Sequence, residues 1–203
     1  ARGEVIAEFT DAPTNAAGVD KTFTQAQAFS VAGAPTVTEI QLRLQRWGGT
    51  TGYVTVQLRA DSNGSPSTGM VAQIPRLVTD VPTDAPAWIS FTWDGTNIGG
   101  GKYWIVCLVT SDCDAEIDWQ IVRDNPYGSG PDNRGSLDRG KTWAFLNSAD
   151  ANFRVFGART AKNTSCTVTA TPGTVTTSGA CSLQIEVCES VDNDCDDAED
   201  TPV

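Results

Sequence analysis

TVTEIQLRLQRW at residues 36–47, then GGTTG, then YVTVQLRA at residues 53–60, is the stretch that decides the fold. In the first run Val37, Ile40, Leu42 and Leu44 are apolar at mostly even spacing, and in the second Val54, Val56 and Leu58 repeat the pattern. Successive side chains of an extended strand point to opposite faces, so a period of two puts each apolar set on one face. GGTTG between them carries turn residues. The stretch therefore reads as two β-strands joined by a turn.

The same reading extends outward. AEFTDAP (7–13) opens an edge strand, and KTFTQAQAFSV (21–31) alternates around Phe23 and Phe29. After the loop DSNGSPSTG (61–69) come MVAQIPRLV (70–78), AWISFTWDG (87–95), KYWIVCLVT (102–110) and EIDWQIVRD (116–124). The polar stretch NPYGSGPDNRGSLDRGKTW (125–143) reads as a loop with one short strand, and NFRVFGART (152–160) closes the body. Short strands, turn signals roughly every 8–12 residues and no helical periodicity predict an all-β antiparallel sandwich. About eight or more strands favour a jelly roll over the smaller immunoglobulin type.

Composition agrees. A chain of 203 residues, 39% hydrophobic with six tryptophans, is long enough to bury a core as one large domain or as one domain plus an appendage. Charged residues make up only 19%, and the abundance of Thr, Ser, Gly and Val suits strands and turns. No run approaches the roughly 18 apolar residues of a membrane helix, so a soluble chain without a transmembrane segment is expected. The texture changes near residue 160, which predicts a body at 1–160 and a small C-terminal appendage at 161–203.

The net charge of −11 is uneven. Residues 163–203 hold eight acidic and no basic side chains, and the preceding residues hold 17 acidic and 14 basic, a net of −3. An acidic surface repels phosphate, so nucleic acid is not an expected partner. There is no histidine, which removes Ser-His-Asp triads, Cys-His pairs and imidazole zinc sites. A glycosidase needs only two carboxylates, and Asp112, Asp114, Glu116 and Asp118 are the candidates, but Asp114, Glu116 and Asp118 alternate along one face of a strand. That is the pattern of a solvated face, and a non-enzymatic protein is expected.

Six cysteines fall into three close pairs: Cys107 with Cys113, Cys166 with Cys181, and Cys188 with Cys195. An even count in a Thr/Ser-rich chain argues for disulfides and an oxidising compartment. The pairing is open from sequence; neighbours are expected to pair. The start at Ala1 fits removal of a signal peptide, and equally fits simple loss of Met. Residues 163–187 read as two short strands around PGTVTTSG, a hairpin that a Cys166–Cys181 bridge would close.

VDNDCDDAED (191–200) places acids at alternate positions, Asp192, Asp194 and Asp196, with Asp200 four further on. Calcium takes about six to eight oxygens, mostly carboxylates and carbonyls. Counting from Asp192 gives Asp194, Asp196, the Ala198 carbonyl and Asp200 as ligands at alternate positions of one loop. Without an ion each like-charge contact there costs on the order of 1 kcal/mol. Calcium is therefore the expected cofactor. DSNGSPS offers the oxygens of Asp61 and Asn63, but it reads as an ordinary turn.

Aromatic side chains in or beside loops, namely Trp47, Tyr53, Trp119, Tyr127 and Trp143, are candidate platforms for a glycan. Trp88, Trp93 and Trp104 lie within strands and are expected in the core.

Two resemblances add to this. The succession AQAFSVAGAPTVTEIQLRLQRWGGTTGYVTVQLRADSNGSPS, AWISFTWDG, GKYWIVCLV and GKTWAFLNSADANFRVFG resembles the choice-of-anchor type of extracellular β-sandwich over about residues 5–158. That family is similar in architecture to carbohydrate-binding jelly rolls. EVCESVDNDCDDAED resembles the MopE-type metal-binding repeat of bacterial surface proteins, through Cys188, Asp192, Asn193, Asp194, Cys195, Asp196 and Asp200. It implies an extracellular bacterial protein and a calcium-like site closed by a Cys188–Cys195 bridge. Asp197 stands where the motif has glycine and Thr201 where it has a further acid. Together these readings imply a secreted or cell-surface structural or adhesive module, with copies of itself, cell-surface components or glycans as partners. The alternatives are a carbohydrate-binding module and a phage decoration or fibre protein.

Overall fold

The computed structural model describes residues 3–123, 127, 132–146 and 149–159, and the backbone of 167–171 and 174–178. The chain divides into two units, Ala1–Thr160 and Ala161–Val203.

The first unit is built from β1 (Glu4–Phe9), β2 (Asn15–Val19), β3 (Thr24–Val31), β4 (Thr36–Trp47), β5 (Tyr53–Ser62) and β6 (Ser65–Leu77). A short 3-10 turn, Val78–Asp80, leads to β7 (Ala87–Asn97), β8 (Gly101–Val109) and β9 (Glu116–Arg123). Then come β10 (Asn133–Ser136), β11 (Ala144–Phe145), β12 (Ala149–Ala151) and β13 (Phe153–Ala158). Pairing among the described strands is antiparallel throughout.

One sheet has seven strands, in the path β1-β13-β4-β9-β12, with β2 on β9 and β7 on β4. The other has six, in the order β11-β10-β3-β8-β5-β6. The expected all-β sandwich is present. GGTTG is a crossing rather than a hairpin, because β4 and β5 lie in different sheets.

The alternation that marked the strands also fills the core. Val37, Ile40, Leu42 and Leu44 of β4 meet Val54, Val56 and Leu58 of β5, with Phe29, Phe91, Ile105, Ile117, Trp119 and Phe153 in the same buried cluster. Each such aliphatic or aromatic side chain contributes roughly 1.5–3 kcal/mol on burial. The break in spacing between Val37 and Ile40 is a β-bulge, where the register with β7 shifts between Val37 and Glu39. Gly95 makes that bulge possible: its φ is +112°, and a Cβ there would lie 2.9 Å from the Thr36 methyl.

A second, smaller cluster lies on the other face of β3 and β8. Ala26, Ala28, Trp104 and Val106 are buried there, with Leu108 and Trp143 packed against them. β3 is thus covered on both faces, which its sequence does not announce. It carries Gln25 and Gln27 among its buried residues.

The expected Cys107–Cys113 bridge is a correction: both are buried free thiols. Cys107 sits at mid-strand in β8, paired with Gln25 and Val56, and joins the core cluster as a small hydrophobe. Cys113 closes the turn after β8, its N–H bonding the Thr110 carbonyl at 3.1 Å. Burial pushes the Cys107 thiol up to about 12.

In the second unit β14 (Thr167–Thr171) pairs with β15 (Thr174–Ser178), Thr171 opposite Thr174. The second strand therefore begins inside the stretch read as the hairpin turn. Cys166, Cys181, Cys188, Cys195 and the expected calcium ligands Asp192, Asp194, Asp196, Ala198 and Asp200 lie outside the described residues.

Candidate functional site

β6 and β7 are edge strands, one in each sheet, and they flank an open side of the sandwich. Between them is a cleft of about 350 Å³ lined by Tyr53, Ile74, Arg76, Leu77, Asp80 and Ser90, with Pro75, Phe91 and Thr92 completing the wall. That volume falls within the range of small-ligand sites, roughly 300–1,000 Å³.

Strand pairing positions each group. Tyr53 opens β5 directly opposite Leu77 at the end of β6. Cross-strand partners share a face, and these two are 43% and 47% exposed. One residue earlier in β6, Arg76 pairs with Val54 and so points to the other face, toward the gap between the sheets. Its Nε donates to the Asp80 carboxylate at 3.1 Å, and a terminal nitrogen donates to the Ser90 carbonyl of β7. Arg76 therefore ties the two edges together and holds an ion pair at the cleft. The Arg76 and Asp80 side chains are 40% and 42% exposed, so the pair itself contributes at most about 1 kcal/mol to stability. Chemically the cleft offers an apolar platform, guanidinium donors and carboxylate acceptors; the Ser90 hydroxyl is engaged by β4, donating to Glu39 at 2.7 Å and accepting from Gln41 at 2.9 Å.

The other expected aromatics are scattered. Trp47 is exposed at the end of β4, its indole N–H bonding Asp118 at 2.6 Å. Trp119 is fully buried and donates to the Asn152 carbonyl at 2.8 Å, so it is a core residue and not a platform. It alternates in phase with Ile117 and Ile121, and that phase sends it inward. Tyr127 packs on Phe9 and Phe153, with ring centroids 5.8 and 5.2 Å away. Trp143 covers the outer cluster beneath the Arg59 guanidinium, 6.0 Å from its ring centre.

The strand tryptophans differ from expectation in one case. Trp104 is buried, in the outer cluster, with Lys102 and Arg134 over its ring at 5.2 and 5.6 Å. Trp93 is partly buried against the main core. Trp88 is outside the core: it shares a face with Arg43 in the β4–β7 pairing, and the Arg154 guanidinium lies 4.2 Å from its ring centre. Alternation does not reveal which face of a strand is covered, so its sequence held no signal for this.

Of the four candidate carboxylates, Asp114 and Glu116 line one cleft together with Asp20. Asp114 accepts from the Thr51 N–H at 2.8 Å, which holds its carboxyl below the ordinary range, and Asp118 is engaged by Trp47. Asp61 accepts from the Trp104 indole at 2.7 Å and from the Gly64 N–H at 3.1 Å, so DSNG is a turn, but the loop expected over 61–69 shortens to Asn63–Gly64, with Asp61 and Ser62 in β5 and Ser65–Gly69 in β6. The described residues contain no cluster of three or more potential metal-ligating side chains.

One motif escaped the sequence reading. In SLDRGKT (136–142) the Asp138 carboxylate accepts from the Thr142 N–H at 2.8 Å, the Ser136 hydroxyl at 2.7 Å, the Thr142 hydroxyl at 2.7 Å and the Lys141 N–H at 3.0 Å. These donors hold its carboxyl well below the usual range. The signal was present: short polar side chains at fixed offsets around Gly140, whose φ is +81°. The turn is structural, joining β10 to β11.

No family model matches the chain, and no curated protein matches it. Among solved structures it is similar to the cysteine protease and lectin-like domains of Cwp84, a surface layer associated protein of Clostridium difficile, at 10% identity and a TM-score of 0.48. The match covers 73% of this chain and 37% of that one. None of the described helices is long and apolar enough to cross a membrane.

Proposed function

We propose that this protein is a non-enzymatic binding module of a secreted or cell-surface protein, and that the cleft between β6 and β7 holds a saccharide. The observation that carries this is the exposed Tyr53–Leu77 pair beside the Arg76–Asp80 ion pair, at the rim of a cleft of about 350 Å³. A sugar ring has an apolar C–H face and a rim of hydroxyls that both donate and accept. The phenol ring and the Leu77 side chain suit the face. The guanidinium and the carboxylate suit the rim.

Catalysis has little support from the carboxylates. A general acid needs a raised pKa together with access to substrate. Asp150 is pushed up by burial, but it is 1% exposed and both oxygens accept hydrogen bonds, from Gln27 and from the Tyr127 N–H. Edge pairing between copies is opposed at β6. Pro66 and Pro75 have no N–H to offer, and Arg76 already caps the Ser90 carbonyl on β7. In this proposal calcium, held by the acidic loop from Asp192 to Asp200, orders the C-terminal unit rather than the cleft.

A glycan array probed with the intact chain and with Tyr53→Ala, Arg76→Ala and Phe145→Ala tests the reading. Phe145 lies on β11, five strands from β6 in the same sheet and about 24 Å away. The first two variants are expected to weaken binding at least tenfold and the third to leave it unchanged. No glycan bound by the intact chain, or equal binding by all variants, sinks the proposal.

A further inference from the structure

A second gap lies between the sheets, at the end where β2, β9 and β12 face β3 and β10. It measures about 150 Å³ and is lined by Gln25 and Asn133, by Phe23, Ile121 and Leu146, and by Ala16, Ala17, Ala149 and Arg123. The alanines on the seven-stranded sheet are too small to fill it.

Gln25 and Asn133 are each 1% exposed, and the side-chain carbonyl oxygen of each has no hydrogen-bond partner. For Asn133 the surrounding network dictates this. The Ala151 N–H donates to Gln27 Oε1 at 2.7 Å, and Gln27 Nε2 donates to the Asp150 carboxylate at 2.8 Å, so Gln27 has only one workable orientation. Asn133 must then turn its Nδ2 toward Gln27 Oε1, at 3.5 Å. Reversing the amide would set two carbonyl oxygens against each other, so Asn133 Oδ1 is left over. A buried acceptor without a donor is unfavourable, and two line the same gap.

What would relieve them follows from the walls. The occupant must donate hydrogen bonds, which excludes a simple anion. None of the lining residues carries a carboxylate, and Arg123 stands among them, which disfavours a cation. Phe23, Ile121 and Leu146 favour a molecule with an apolar side. A gap of about 150 Å³ has room for one six-membered ring. We propose that this gap is a binding site for a neutral polyhydroxylated molecule of monosaccharide size, with its hydroxyls donating to Gln25 Oε1 and Asn133 Oδ1. The site stands independently of the edge cleft.

The test titrates the isotopically labelled full chain with free glucose, galactose, mannose and N-acetylglucosamine, following the side-chain amide signals of Gln25 and Asn133 by NMR. At least one sugar is expected to shift both signals saturably. Following Asn133 in Gln25→Leu, and both amides in Ala149→Leu, which fills the gap without touching either of them, binding should weaken at least tenfold. In Tyr53→Ala it should be unchanged. If none of the four sugars moves these signals, the gap holds water alone and the proposal fails. If Tyr53→Ala abolishes the shifts and Ala149→Leu does not, the sugar belongs to the edge cleft and this site is likewise overturned.

Discussion

Asp138 and Asp150 carry the same side chain into opposite settings. Asp138 stands at a surface turn, where hydroxyls and backbone N–H groups converge on it and hold its carboxyl far down. Asp150 lies between the sheets with one side-chain and one backbone donor, and burial pushes its carboxyl up. The number and exposure of the donors, not the residue type, decide whether the charge is welcome. The contrast also separates a turn that builds the fold from a polar network that leaves acceptors over.

The largest break in that comparison should come from Asp150→Ala. It leaves Gln27 Nε2 with the Ala28 carbonyl as its acceptor and takes the acceptor from the half-buried Tyr127 N–H, and should cost about 2–4 kcal/mol in urea unfolding. A loss below that of Asp138→Ala would mean the buried network is not a structural anchor. Asp138→Ala should lower the melting temperature by a smaller amount, because its former donors can turn to water. Scanning calorimetry of the two variants side by side reads the order.

Titration sharpens the same contrast. The Asp150 carboxyl is raised in the folded state, so its contribution to stability is fully present below the ordinary carboxylate pKa and is lost as pH rises through the raised value. Asp20, Asp114 and Asp138 are lowered, so their contributions are present above the ordinary value and lost as pH falls through the lowered ones. Lowering the pH from about 7 to about 4 should therefore shift the stability difference between the wild type and Asp150→Asn in favour of the wild type. A pH-independent difference would remove Asp150 as the titrating group.

Smaller still is the effect expected at the cysteines of the body. Cys107 and Cys113 should resist iodoacetamide at neutral pH and be modified only when denaturant opens the core, as read by mass spectrometry. Modification of Cys107 or Cys113 in the native chain would contradict their burial. For the C-terminal unit, millimolar calcium should raise the melting temperature of the intact chain and leave a version ending at Thr160 unmoved.

Much of the fold was legible at particular residues. The phase of Val54, Val56 and Leu58, and of Ile40, Leu42 and Leu44, put these side chains in the core where they are found. Even the irregular step from Val37 to Ile40 had a local meaning, the bulge opposite Gly95. The candidate site was legible only at Tyr53. Arg76, Leu77 and Asp80 gave no signal, because their importance comes from β7 passing beside β6, and no local pattern encodes which strands become edges. Trp119 was misplaced for a related reason: being near a loop in sequence does not expose a side chain whose phase points inward.

The chain's own pattern determined most of the strands and which side chains within a strand share a face, because alternation and turn residues act over a few neighbouring positions. The tertiary structure alone decided that GGTTG crosses between sheets, that Cys107 packs in the core without a partner, and that Gln25 and Asn133 converge on one gap. These are long-range outcomes. They depend on which sheet each strand joins and on the space its neighbours leave, and contacts between distant segments settle both.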